Sequence, residues 1–419
     1  MTNYNTCTLP SGLRIIHLPS ASPVVYCGYA VGGGTRHELP GEEGLAHFCE
    51  HLSFKGTARR TSVQILNAIE GVGGELNAFT GKEDTVFYVA ITPQHFRKAV
   101  DVLTDLVFHS EYPQHEVEKE CEVVCDEIES YEDSPSELIY DDFENLLFEG
   151  HPLGHNILGT AEQVRSYRSE DARRFTQRYY CPQNAVFFVS GNVDFAKLPS
   201  IIGPISPMSP MGPISPISPI SPISPIGPIR PIGPISPISP ITRHRSTHQA
   251  HVMVGTQAFA ASDPRRWALF LLNNLLGGPS MNSRLNLALR ERNALVYTVD
   301  SQMVTYSDTG LWSVYFGCDP ADVKRCLRLV RRELDRLMQH PLSAAQLSRA
   351  KQQVHGQLAI ASDNREQFAL DFGRHYLHEG RERNLDELLA HIDNLSADDL
   401  LSTAQQLFAP DRLSTLIYD

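Results

Sequence analysis

From Ile201 to Thr242 a proline returns at every third position, and all but one of them stand behind a serine or a glycine. Proline has no amide hydrogen and fixes φ, so this run is excluded from a helix interior and from a central strand and is predicted to be extended polyproline II. The isoleucines share the same three-residue period and would line one edge of such a helix. The run is therefore either a strap laid on an apolar surface or a low-complexity tether. In both cases it divides the chain into residues 1–200 and 243–419, and 419 residues is more than one hydrophobic core usually supports.

The two halves repeat a coarse pattern. VVYCGYAVGGGT alternates as a strand before the helical EEGLAHFCEHLSF, and QAHVMVGTQAF does so before RRWALFLLNNLLG. Long helical stretches follow in each half: HFRKAVDVLTDLVFH and HEVEKECEVVCDEIESYE in the first, DVKRCLRLVRRELDRLMQ and SAAQLSRAKQQVHGQLAI in the second. The expected class is α+β, two similar halves each built as an antiparallel sheet packed with helices.

With 36 Lys+Arg against 49 Asp+Glu the net charge is −13, which argues against a non-specific nucleic-acid binder and favours a basic or neutral substrate. MTNYNTCTLPSGLRIIHLPS lacks the charged start and apolar run of an export signal, and no stretch of roughly 18 apolar residues occurs, so the expectation is a cytoplasmic chain with no membrane span. Cys7, Cys27, Cys49, Cys121, Cys125, Cys181, Cys318 and Cys326 are scattered along the chain, the pattern of reduced thiols rather than of a disulfide scaffold.

The string that carries chemistry is HFCEH. On a helix His47 and His51, four apart, share one face and present two imidazoles to one ion, with Glu50 beside them as a base. A catalytic zinc keeps three protein ligands, so a further His or carboxylate is required elsewhere. VEKECEVVCDEIESYED offers Glu120 and Glu127, two helical turns apart on one face. The residues alone leave this segment open between a ligand helix and a solvated acidic face, on which Glu116, Glu118, Glu122 and Glu129 stand equally well.

The order of these blocks resembles the pitrilysin/insulinase family of inverted-motif zinc peptidases, with its mitochondrial processing peptidase branch. GLAHFCEHLSFKGT resembles the metal helix, GGELNAFTGKEDTVFYV the substrate-side strand and VVCDEIESYEDSP the third-ligand helix, while HPLGHNILGT and FFVSGNVD close the first half. The resemblance implies one zinc per chain, held by His47, His51 and Glu127, with Glu120 orienting a ligand from behind. It implies that Glu50 takes a proton from the attacking water and passes it to the leaving amine. SRLNLALRERNALVY resembles the family's Arg/Tyr segment, which makes Arg290 and Tyr297 donors to the substrate carbonyl, although by composition they read as a helix-surface charge and a half-buried aromatic. Asn77, Ala78 and Phe79 are the expected edge for an extended peptide.

The domains expected are thus a zinc-peptidase domain at 1–200, a linker at 201–242 and a homologous domain without a metal motif at 243–419. Chains of this length resemble one half of a clamshell, so the partners expected are a peptide substrate and a second chain, identical or a paralogue, with Arg290 and Tyr297 able to act in trans. The intact motif speaks against a degenerate structural subunit, and a zinc-retaining peptide-binding scaffold remains the alternative. Gly32, Gly33 and Gly34 lack the Lys-Ser/Thr of a phosphate loop and read as a strand-end turn. Cys121 and Cys125 read as core, and Cys49 points away from the ligand face.

Overall fold

The structure, a computed structural model, describes residues 4–205, 240–245, 247–382 and 384–419. The chain forms two compact units. Of the described residues, one takes in those up to Ser130, those from His155 to 205, and those of Ala361–Asn384. The other takes in Tyr131–Gly154, the described residues from 240 to Ile360, and Leu385–Asp419. The units therefore trade segments: 131–154 leaves the first half of the chain for the second unit, and 361–384 makes the opposite passage.

In the first unit β1 (Asn5–Thr8), β2 (Arg14–Pro19), β3 (Val25–Val31), β4 (Glu75–Thr80), β5 (Thr85–Ile91) and β6 (Ala185–Gly191) form one sheet in the order β1-β2-β6-β3-β5-β4. All neighbours are antiparallel except β2 and β6. Its helices are α1 (Leu45–Ser53), α2 (Ser62–Glu70), α3 (Phe96–Phe108), α4 (Gln114–Glu132), α6 (Ala161–Ser166), α7 (Ser169–Tyr179), α8 (Leu198–Ile202) and α12 (Arg365–Glu379), with α5 (Pro135–Leu147) falling in the other unit. The pleat sorts the side chains. Ile15, Cys27, Tyr29, Phe87, Val89 and Phe187 pack with α1, α3 and α4, while Ile16, Ala30, Val86 and Phe188 face the other way onto Ala369, Leu370 and Phe372 of α12. Covered on both faces, β6 (AVFFVSG) is buried throughout, which is why it reads as a continuous apolar run. Gly373 lets α12 lie this close, since a Cβ there would stand 2.4 Å from the Phe188 ring.

The second unit repeats the plan. Its strands β7 (Ile241–Arg243), β8 (Ala250–Ala258), β9 (Val296–Thr305), β10 (Gly310–Cys318) and β11 (Ser414–Tyr418) form a sheet ordered β7-β11-β8-β10-β9, antiparallel but for β7 and β11. Helices α9 (Arg266–Gly277), α10 (Val323–Gln339), α11 (Ala344–Ala361), α13 (Leu385–Asp393) and α14 (Ala397–Leu407) contribute to its core with Val252, Val254, Val314 and Phe316. The opposite face, with Met253, Leu311, Tyr315, Leu416 and Tyr418, is covered by Leu138, Ile139 and Phe143 of α5. Each sheet is thus capped on one side by a helix from across the proline-rich run.

The ends of that run depart from the expected polyproline geometry. Ile201 and Ile202 complete α8, and Ile241 and Thr242 pair with β11 as an edge strand, because these residues are not prolines and keep their amide donors. Residues 206–239 of the predicted polyproline segment lie outside the described residues.

Candidate metal centre

Helix α1 is buried along almost its whole length, with only His51 reaching partial exposure. No side chain caps it from its own N-cap. Gly44 holds that position at φ 91°, where a Cβ would strike the Leu158 carbonyl oxygen at 2.6 Å. The free amides are satisfied from a distance: Gly44 N and Ala46 N donate to the Glu38 carboxylate at 3.0 and 2.7 Å, and His155 Nε2 lies 2.8 Å from it.

Helix α4 supplies the carboxylates. Its buried stripe runs Val117, Glu120, Cys121, Val124, Cys125, Ile128, the i, i+3, i+4 pattern of a helix face set on a core. Glu120 falls within the stripe and is 4% exposed, while the Glu127 side chain sits on its shoulder, 44% exposed.

The helices bring His47, His51 and Glu127 together, with one ligand atom from each within 4.8 Å of the others, the only such group among the described residues. His47 Nε2 stands 3.8 Å from Glu127 Oε1 and His51 Nε2 3.5 Å from Glu127 Oε2. His51 Nδ1 donates to Glu120 Oε1 at 3.0 Å, and Lys55 Nζ lies 2.5 Å from Glu120 Oε2. Glu50, 8% exposed, accepts at Oε2 from the Thr80 hydroxyl at 2.6 Å.

The donor set fits a zinc ion. Two imidazole nitrogens and a carboxylate oxygen are the ligands zinc takes when a fourth position is left open. Burial and the neighbouring His51 push the His47 pKa down to about 3, so this imidazole offers a lone pair at neutral pH. Burial also opposes a charge on His51, but Glu120, Glu127 and Glu50 outweigh it and raise its pKa. Burial raises the Glu50 pKa against the lowering effects of Thr80 and His51. Burial works in the same sense on Glu120, but the hydrogen bonds of His51 and Lys55 prevail and hold it below the ordinary carboxylate value.

Strand β4 is the edge of the first sheet, hydrogen-bonded only to β5. Asn77 is exposed, and Ala78 and Phe79 are half-buried on opposite faces: Ala78 against the core that holds α1, Phe79 against the α12 layer with Arg374 over its ring. Arg290 and Tyr297 lie in the second unit. Arg290 is on a π-helical turn, Asn286–Glu291, with its guanidinium 5.7 Å from the Tyr297 ring, and Tyr297 is 81% exposed on edge strand β9. Cys49 and Cys121 are buried and direct their thiols at the carbonyls of Ala172 and Val164, and no cysteine belongs to the metal group. Sequence reasoning passed over Thr80, Lys55 and Glu38, although all three stand in or beside the blocks that carry the motif.

Residues 15–161 match the family described as Insulinase (Peptidase family M16), and residues 166–354 the Peptidase M16 inactive domain. The chain is 34% identical over 402 residues to an uncharacterized zinc protease of Streptomyces coelicolor, covering 96% of this chain and 86% of that one. It is 30% identical over 412 residues to the uncharacterized zinc protease YmxG of Bacillus subtilis, covering 98% and 97%. A protease from Helicobacter pylori has the same fold, with a TM-score of 0.88 at 20% identity over 100% of both chains. A peptidase M16 inactive domain from Pseudomonas fluorescens follows at a TM-score of 0.85 and 17% identity, covering 99% and 97%.

Proposed function

Since the chain belongs to the insulinase family, peptidase family M16, we propose that it is a zinc-dependent endopeptidase acting on short or unfolded peptides, with its metal and its base in the first half of the chain. The observation that carries this reading is the convergence of His47, His51 and Glu127 beside the buried carboxylate of Glu50. Residues 166–354, which match a domain called inactive, contribute none of these four side chains.

Zinc, when bound by His47, His51 and Glu127, supplies the Lewis acidity that polarises a carbonyl and eases deprotonation of water. The chain's own groups do the rest. Glu50 takes a proton at its free oxygen, Oε1, and returns it to the leaving amine nitrogen. Glu120 keeps the Nδ1 proton of His51 in place, so that Nε2 keeps its lone pair. The free edge of β4 pairs with an extended peptide through its backbone, with Asn77, Ala78 and Phe79 along it, and Arg290 and Tyr297 are donors to the substrate carbonyl.

We further propose that the chain works as a dimer with an identical copy or a paralogue, and in the cytoplasm, as its scattered cysteines suggest. No helix among the described residues is long and apolar enough to cross a membrane. Sedimentation of the purified protein reads the first claim, and a sharp monomer at micromolar concentration removes the homodimer. The decisive experiment is cleavage of a quenched fluorescent peptide library by the wild type and by Glu50→Gln, with zinc measured on both. The expected result is about one zinc per chain in each and a kcat lower by about 10²–10⁴ in the variant. Wild-type protein that carries zinc and leaves every peptide intact would make the chain a zinc-retaining peptide-binding subunit instead.

A further inference from the structure

We infer that Thr80 is a positioning residue that aims the Glu50 carboxylate, an inference that rests on the peptidase reading. Thr80 is the last residue of β4, and side chains alternate along a strand, so Thr80 shares with Ala78 the face turned to α1 while Phe79 takes the other. Its Oγ1 reaches Glu50 Oε2 at 2.6 Å.

A hydroxyl has one proton to give, and Thr80 has two oxygens within range. The second is Thr85 Oγ1, directly across the β4–β5 ladder at 3.3 Å. Thr85 itself donates to the Gly33 carbonyl at 2.9 Å, so its proton is already committed. The Thr80 proton goes to the carboxylate, where the contact is shorter and charge-assisted. Oε2 is thereby tied down, and Oε1 accepts no hydrogen bond among the described residues. The terminal torsion of a glutamate has a broad, two-fold profile, so without this donor the two oxygens are free to exchange places.

The consequence is that the edge on which an extended peptide would add also carries the group that fixes the base. Backbone pairing along β4 does not use the Thr80 hydroxyl, so losing it should change the rate of the chemical step rather than substrate affinity.

The test is Thr80→Val and Thr80→Ser in the full-length, zinc-loaded chain. Thr80→Val should lower kcat by about tenfold or more, with KM within about threefold and zinc content unchanged, and Thr80→Ser should restore most of the rate. A readout independent of activity is a double-mutant cycle on the apparent Tm. Thr80→Val should cost about 3–6 °C when Glu50 is present and nothing comparable in a Glu50→Met background. The inference falls if Thr80→Val keeps the wild-type kcat, if Thr80→Ser is as impaired as Thr80→Val, or if the Tm loss persists without Glu50, which would mark a packing role. Should the wild type carry zinc and cleave nothing, the peptidase reading fails while the thermal cycle still decides whether Thr80 holds Glu50.

Discussion

His51 has two ring nitrogens and a carboxylate for each. A neutral imidazole carries one proton, and Glu120, 3.0 Å from Nδ1, claims it there, which leaves the Nε2 lone pair facing Glu127 at 3.5 Å. Lys55, just past the end of α1, holds the far oxygen of Glu120, so orientation passes from this lysine through Glu120 to the His51 ring. Glu120→Gln replaces a charged acceptor by an amide that also presents a donor, and zinc should then bind about 10–100-fold more weakly. Competition with a chromogenic chelator measures this, and unchanged affinity in a folded variant would sink the role given to Glu120. At this scale the sequence showed what periodicity can show. His47, Glu50 and His51 are legible because i, i+3 and i+4 share a helix face. Glu127 is not legible in that way, since its helix carries several equivalent carboxylates and only the resemblance selects one. Lys55 and Thr80 are invisible, because a lysine after a helix and a threonine before a turn read as ordinary surface residues until tertiary structure puts a carboxylate against each.

At the scale of the element, the start of α1 is the weak point. Its N-cap is a glycine without a capping side chain, and the first amides depend on Glu38, a residue outside the helix that is itself held by His155 from beyond α5 in sequence. Glu38→Ala leaves Gly44 N and Ala46 N without their acceptor in a buried setting, at a cost of about 1–3 kcal/mol. The expected outcome is an apparent Tm lower by several degrees together with reduced zinc retention, since His47 stands in the first turn of the loosened helix. A Tm within a degree of wild type would show that water or a neighbouring chain atom replaces the cap. The helices themselves were readable: α1, α3, α4, α9, α10 and α11 lie where apolar residues recur with the helical period. The parallel pairs β2–β6 and β7–β11 were not, because strand alternation gives the buried face but no direction of pairing.

The whole molecule has a topology that no local pattern announces. Helix α12, from the second half of the chain, closes one face of the first sheet with Ala369, Leu370 and Phe372, and α5, from the first half, closes one face of the second. Neither half can bury its own sheet, so residues 1–205 expressed alone should be insoluble or aggregated, exposing Ile16, Val86 and Phe188, each worth about 1.5–3 kcal/mol when buried. Co-expressed as separate polypeptides, 1–205 and 240–419 should instead co-purify, because each supplies the other's missing helix. A polar anchor sharpens the prediction. Asp84 is fully buried, and Arg374 Nε and His378 Nε2 of α12 reach it at 2.9 and 2.7 Å. Burial alone would raise its pKa, but the bond from His378 and the charge of Arg374 win and hold it below the ordinary value of 3.8. A carboxylate depressed in the folded state contributes stability that is complete above its unfolded value and drains away as pH falls through the folded one. The association of the two fragments should accordingly draw a constant contribution from Asp84 above about pH 4 and lose it in more acidic solution. Asp84→Asn removes the charge opposite Arg374 and His378 and should weaken association at neutral pH by about 2 kcal/mol or more, on the order of thirtyfold in Kd, while flattening the acid-side loss. Dilution of the co-purified pair, with one fragment carrying a fluorescent label, reads both effects as a loss of anisotropy. Fragments that fold and stay soluble alone, or an Asp84→Asn pair with wild-type affinity, would mean that α12 packs on the sheet without being needed to hold it.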